Sequence, residues 1–182
     1  MLREQLRSVA MTRRLVGAVT AFFAMTGVAH ADVTAKAPDG FAIRIASVVK
    51  LDRDAAWARM LDIGAWWNPA HSYSGDAKSL NLEAKAGGCW CEIWSGGEVE
   101  HGRVVAVMPP GMLRINGALG PLQQMGVSAT LTFQLENGAE AGTTKIILDY
   151  VVSGSSISGL DGLAAIVDGV LKEQVTRFSA AK

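Results

Sequence analysis

Between Leu80 and Val152 the chain is cut into short stretches of alternating apolar and polar residues by glycine- and proline-bearing turns, and beyond Gly159 the period changes to that of a helix. This succession constrains the fold more than any other feature of the sequence. Leu80–Ala84 reads as one strand, Gly87-Gly88 as a turn, Cys89–Trp94 as a second strand and Ser95-Gly96-Gly97 as a hairpin turn. Val99–Met108 follows and is stopped by Pro109-Pro110-Gly111, and Met112–Ala118, Val127–Leu135 and Thr143–Val152 complete an antiparallel meander. From Gly159 to Phe178, Leu160, Leu163, Val167, Val170, Leu171 and Phe178 fall on one side of a helix, with Ser158 and Asp161 as its capping pair.

Upstream of the meander, Phe41, Ile43, Ile45 and Val49 alternate with Arg44 and Lys50, which predicts a strand over residues 41–50 with one covered face. Asp52 and Asp54 can cap a helix in Ala55–Leu61. Residues 63–67 add a second short helix before Pro69, and residues 70–79 form a loop in which Tyr73 and Asp76 could gate an entrance. No repeat or linker interrupts the chain after Asp32, so residues 32–182 are expected to form one domain. The expected class is α+β: a curved antiparallel sheet of about seven strands, gripped by a long C-terminal helix, with two short helices after the first strand. Such a helix leaves a concave, apolar space against a bent sheet, the usual setting of a small-molecule site.

The first thirty-one residues read as an address. Arg13-Arg14 precedes an apolar run from Leu15 to Val28, which ends in Ala29-His30-Ala31 before Asp32, the three-part pattern of an export signal. The run is too short for the roughly 20 residues of a bilayer-spanning helix, so no stable membrane anchor is expected after cleavage, and the mature chain is expected to be periplasmic or secreted. Translation can start at Met1 or at Met11. The formal net charge of zero hides an asymmetry: without residues 1–31 the chain holds 13 Lys and Arg against 16 Asp and Glu, about −3. That balance, with no basic run, argues against nucleic acid as a partner.

The only cysteines, Cys89 and Cys91, stand two apart on one strand face. Ideal strand geometry sets their Cα atoms about 6.5 Å apart, near the upper limit for a disulfide. Free thiols, a strained disulfide and, least of all, a metal pair are the options. No recognised zinc spacing connects them with His71 or His101, and no metal or cofactor is expected.

The order of elements, with Trp57, Trp66-Trp67, Gly87-Gly88 followed by Trp90 and Glu92, Gly102-Arg103-Val104 and Met108-Pro109 before Leu113, resembles the START-related SRPBCC superfamily. That group includes the major birch pollen allergen, polyketide cyclases and homologues of the activator of the heat-shock ATPase; the local motifs are most similar to the last branch. The resemblance spans residues 41–178 and implies a helix-grip fold with a deep apolar cavity between sheet and last helix. Cys89, Cys91 and the export signal depart from the pattern.

Five tryptophans remain in the mature chain, and leaving all of them in water is implausible. Trp57 reads as core, and one of Trp66 and Trp67 as lining a cavity mouth. Trp90, Glu92 and Trp94 share a strand face. If that face looks inward, Glu92 is a buried acid whose pKa should rise by desolvation, making it a general acid or a polar anchor; otherwise it pairs with Arg103 or Arg114, or is exposed. His101 can point inward or into solvent. Nucleophile elbow, phosphate loop, zincin helix and dinucleotide fingerprint are all missing from the sequence.

The leading expectation is therefore an exported domain that binds a small apolar or amphipathic molecule, lined by Trp66, Trp90, Trp94, Met112, Met125 and Phe133, with Glu92 as the polar contact. A cyclase or hydratase using Glu92 or His101 is the alternative, and a chaperone-regulating module, disfavoured by export, is the third. Oligomeric state is not legible.

Overall fold

The computed structural model describes residues 30–180. The export signal lies almost wholly outside the described residues. In chain order the elements are β1 (His30–Ala37), β2 (Gly40–Val49), α1 (Arg53–Leu61), β3 (Leu80–Leu82), β4 (Cys89–Trp94), β5 (Gly97–Met108), β6 (Met112–Asn116), β7 (Ser128–Asn137), β8 (Thr144–Ser153) and α2 (Ala164–Ser179). All neighbouring strands run antiparallel in a single sheet of order β1-β2-β8-β7-β6-β5-β4-β3.

The sheet has eight strands, one more than expected, because β1 adds an edge. Only Val33 is partly covered among Asp32–Ala37, so this strand carries none of the apolar alternation that marks the others. It is held through backbone pairing with β2, with Val33 opposite Ile43 and, after one extra residue, Ala35 opposite Ala42 through to Ala37 opposite Gly40. Irregularities at Val33/Ala35, Trp90/Cys91 and Val104/Ala106 break the ladder, and such bulges bend and twist a sheet.

Asp52 caps α1 as expected, its Oδ1 accepting from Ala55 N at 2.8 Å. The second short helix shrinks to a 3-10 turn at Ile63–Ala65, and two more such turns, Pro69–His71 and Ala77–Ser79, order the loop before β3. The expected Ser158–Asp161 capping pair does not form. Gly159 instead takes a left-handed φ of 62°, a 3-10 turn occupies Leu160–Gly162, and among the described residues no side chain caps α2. The other end of α2 is tied down: Arg59 of α1 donates to the carbonyls of Phe178 at 2.8 Å and Arg177 at 3.1 Å, and Arg177 Nε donates to Trp66 O at 2.9 Å.

Two halves of α2 do different work. Leu171, Val175 and Phe178 are buried in the core together with Trp66, Phe133, Leu148 and Tyr150. Trp66 meets Phe178 edge-on with ring centroids 5.5 Å apart and Phe133 at 6.5 Å, so aromatic packing fills the space under this half of the helix. Leu163, just before the helix, and Val167 and Val170 on its first half face a cavity instead.

Candidate functional site

The cavity has a volume of about 810 Å³ and lies at one end of α2, partly open to solvent. This is within the range of small-molecule sites. Its walls are Leu163 with the first half of α2 and two loop segments, 67–73 and 119–124, while the sheet contributes a single side chain among the described residues, His101. The hollow expected between sheet and helix is thus displaced toward the first half of α2, because Trp66, Phe133 and Phe178 pack together under the second half.

Backbone geometry explains why His101 is the one strand residue to reach the cavity. On β5, Gly102 pairs with Trp90 and Glu100 with Cys91, so His101 is an extra residue with no partner in the ladder. His101 and Gly102 are consecutive and both buried, as happens where a bulge reverses the in-out phase of a strand. Gly117 makes the arrangement possible: a Cβ there would lie 2.1 Å from His101 O.

Behind His101 stands Glu92, fully buried. Its Oε2 pairs with His101 Nε2 at 3.0 Å and accepts from Tyr73 N at 3.0 Å, and its Oε1 accepts from Ser74 N at 2.5 Å. Burial pushes the carboxyl up, but the donors from Ser74, Tyr73 and His101 outweigh it and hold Glu92 below its ordinary range. The rise expected from desolvation alone is therefore reversed. The partner is also new: Glu92 pairs with His101, whereas Arg103 pairs with Glu100 and Arg114 donates to Thr132 Oγ1. For His101, burial lowers the pKa and Glu92 only partly restores it, so the imidazole is held neutral. An ionised carboxylate only accepts, so Nε2 carries the proton and Nδ1 is left as an acceptor.

The mouth is built from linked loops. Tyr73 OH lies 3.2 Å from both Gly120 O and Gln123 Oε1, joining the 67–73 segment to 119–124. Gln123 Nε2 donates to Glu100 O at 2.8 Å. Tyr150, whose phenol is pushed by burial up to about 12, accepts from Leu119 N at 2.9 Å and so anchors the start of the second segment. Asn68 N donates to the buried Gln174 Oε1 at 2.7 Å, and His71 Nε2 lies 3.1 Å from Glu173 Oε2, fastening the first segment to α2. Asp76 does not gate the entrance; it caps the Ala77–Ser79 turn by accepting from Lys78 N.

None of the seven residues expected to contact a ligand lines the cavity. Trp66 and Phe133 are core, and Trp66 Nε1 is spent on Arg59 O at 3.0 Å. Trp90 is fully buried between Trp67 and His101, with centroids 5.1 and 5.4 Å away, and its indole N–H has no partner among the described residues. Trp94 is half-buried and lies over its own hairpin at Gly96 and Gly97. Met112 and Met125 are half-buried away from the cavity wall. Glu92 is one side chain removed, acting through His101. Of the tryptophan pair, Trp67 is the one at the mouth, with Trp57 half-buried against the core. The 119–124 wall was missed, although Leu119 and Leu122 in a long connection between strands are a signal for it.

On the opposite strand face Cys89 and Cys91 form a disulfide with Cα atoms 5.4 Å apart. That is closer than the ideal strand spacing of about 6.5 Å. Glu100 is near enough to complete a three-ligand cluster. The two sulfurs are bonded to each other, however, and Glu100 is paired with Arg103.

No protein-family model matches the chain, and no curated protein matches it. Solved structures do. A protein from Nitrosospira multiformis is similar at 12% identity and TM-score 0.57, over 76% of this chain and 94% of that one. A Rhodobacter sphaeroides protein is similar at 17% identity and TM-score 0.52, over 82% and 96%. DynU16, a protein of the dynemicin biosynthetic locus, is similar at 18% identity and TM-score 0.53, over 76% of this chain but only 45% of that one. At such identities the likeness shows the fold alone: a helix laid over a curved antiparallel sheet, as the helix-grip resemblance implied.

Proposed function

We propose that this protein binds one small apolar or amphipathic molecule in the cavity at the first half of α2, with His101 as its polar contact. The observation that carries the reading is a cavity of about 810 Å³ whose walls are mostly apolar and into which a backbone bulge delivers one buried, hydrogen-bonded imidazole. A bulge that aims a polar side chain at an apolar hollow is a feature of function more than of stability. Titration of the purified protein with a lipid and aromatic panel, read by the fluorescence of Trp67 at the mouth, should give saturable one-site responses. A flat response across the panel contradicts the reading.

A second reading rests on the Glu92–His101 pair. A neutral imidazole oriented by a buried carboxylate has the parts of a general base: Nδ1 takes a proton from a bound substrate, and Glu92 stabilises the imidazolium that results. This is cyclase- or hydratase-like chemistry. Under it, His101→Gln removes turnover and leaves most of the affinity, whereas under binding alone there is no turnover to remove.

Export belongs to the same proposal. The disulfide supports it, since such bonds persist in oxidising compartments. N-terminal sequencing of protein from the cell envelope should begin at Asp32; a cytosolic chain retaining residues 1–31 contradicts export.

A further inference from the structure

The cavity's polar chemistry is one-sided. Among the described residues no lysine or arginine lines it, and its ionisable side chains, apart from Tyr73, are His71 and His101. Each of these imidazoles is already engaged by a carboxylate, Glu173 at 3.1 Å and Glu92 at 3.0 Å. Other polar groups of the wall are spent within the protein: Ser72 Oγ donates to Pro69 O, Tyr73 OH is held by the Gly120 and Gln123 oxygens, and Gln123 Nε2 donates to Glu100 O. Gln124 is exposed at the rim.

The ring nitrogens of the wall left without a partner among the described residues are His101 Nδ1, on a buried side chain, and His71 Nδ1, on an exposed one, so the protected acceptor is His101 Nδ1. Because the buried Glu92 takes three hydrogen bonds as an anion, it fixes the proton on Nε2 and leaves a lone pair on Nδ1. A ligand head that donates a hydrogen bond finds a partner there. An anionic head would be stripped of water beside a carboxylate one imidazole away, with no Lys or Arg among the described residues of the wall to receive it, and such uncompensated burial of charge is costly.

We infer that the cavity selects an uncharged amphiphile with a hydroxyl head, set against His101 Nδ1 with its apolar body along Leu122, Val167, Val170 and Leu171, and rejects a carboxylate of the same chain length. This inference rests on the proposed binding role and specifies the ligand class for that site.

The test compares 1-dodecanol with dodecanoate on the folded, disulfide-intact protein at pH 8, both below their aggregation limits, by calorimetry and tryptophan fluorescence. Dodecanol is expected to bind at one site and dodecanoate at least about tenfold more weakly, equivalent to about 1.4 kcal/mol. His101→Leu should weaken dodecanol by about tenfold and narrow the difference between the two ligands; if that variant fails to fold, His101→Phe serves in its place. Equal or tighter binding of dodecanoate overturns the hydroxyl preference while leaving cavity binding intact. Failure of both ligands, with a broad apolar panel equally silent, overturns the binding role itself and the inference with it.

Discussion

Glu92 and His101 sit on adjacent antiparallel strands, yet they are not partners in the ladder: Glu92 pairs with Val99, and the 3.0 Å contact between the two side chains exists because His101 is the extra residue of a bulge. Glu92 thereby serves two structures at once. It orients the imidazole in the cavity wall, and through the amides of Tyr73 and Ser74 it pins the loop that forms the mouth.

Glu92→Gln tests this double role. The amide keeps the shape but loses the charge that three donors share, and hydrogen bonds to charged groups are worth roughly 1.5–3 kcal/mol each. A loss of about 2–4 kcal/mol in urea unfolding is expected. The mouth should loosen as well, seen as faster hydrogen exchange at the Tyr73 and Ser74 amides. Unchanged stability and exchange would contradict the assignment.

Acidification should destabilise the protein in two stages. His101 has a folded pKa lowered by burial, so below about 6.5 the unfolded chain takes up its proton first and stability falls. The Glu92 carboxyl is also held low in the folded state, so its contribution is present above the usual carboxylate range and is lost as pH falls through the folded value. Melting temperature followed from pH 8 to pH 3 should decline from about 6.5 downward, and His101→Gln should remove the upper stage.

Much of this fold was legible because each element has a local cause. β4 has the boundaries its alternation predicts, and β2, β7 and β8 match theirs within two residues. Asp52 caps α1 for the reason its side chain suggests. β1 was not legible, since an exposed edge held by backbone pairing leaves no apolar pattern. The site was read only in part. Glu92 and His101 were singled out, but a one-residue bulge is a tertiary event that strict alternation does not contain, so neither their pairing nor the direction of the Glu92 shift could be read from spacing. The cavity lining was misplaced for a related reason: the aromatic residues fill the space under α2, and the hollow opens where Leu163, Val167 and Val170 lack such partners.

Gly117→Ala should displace the bulge. The added Cβ would meet His101 O at 2.1 Å, against backbone that has little room to yield. A cost of about 1–3 kcal/mol is expected, together with weaker ligand response, while a glycine-to-alanine change at the open Gly162 serves as the control.

The disulfide makes a separate prediction. Cys89 and Cys91 close a very short loop on the strand face away from Glu92, so the double serine variant should lose only about 1–2 kcal/mol and retain ligand affinity. Thiol titration of the native protein should find no reactive cysteine and, after reduction, two. A large loss of binding on reduction would show that the two strand faces are coupled.

One buried carboxylate oxygen of Asp168 in α2 has no partner among the described residues, and burial, with nearby Asp32, pushes its pKa up while Lys172 opposes. Replacing it with Asn removes an uncompensated charge, and the melting temperature at pH 7 is expected to rise by about 1–3 °C. A fall would indicate a partner supplied by another part of the chain.

The account as a whole depends on where a ligand sits. Methyl-labelled protein titrated with 1-dodecanol should give intermolecular contacts from the alkyl chain to the methyl groups of Leu122, Val167, Val170 and Leu171, together with a shift of the His101 imidazole signals. Contacts confined to the outer face of the sheet, or a His101 signal that stays fixed at saturation, would contradict it.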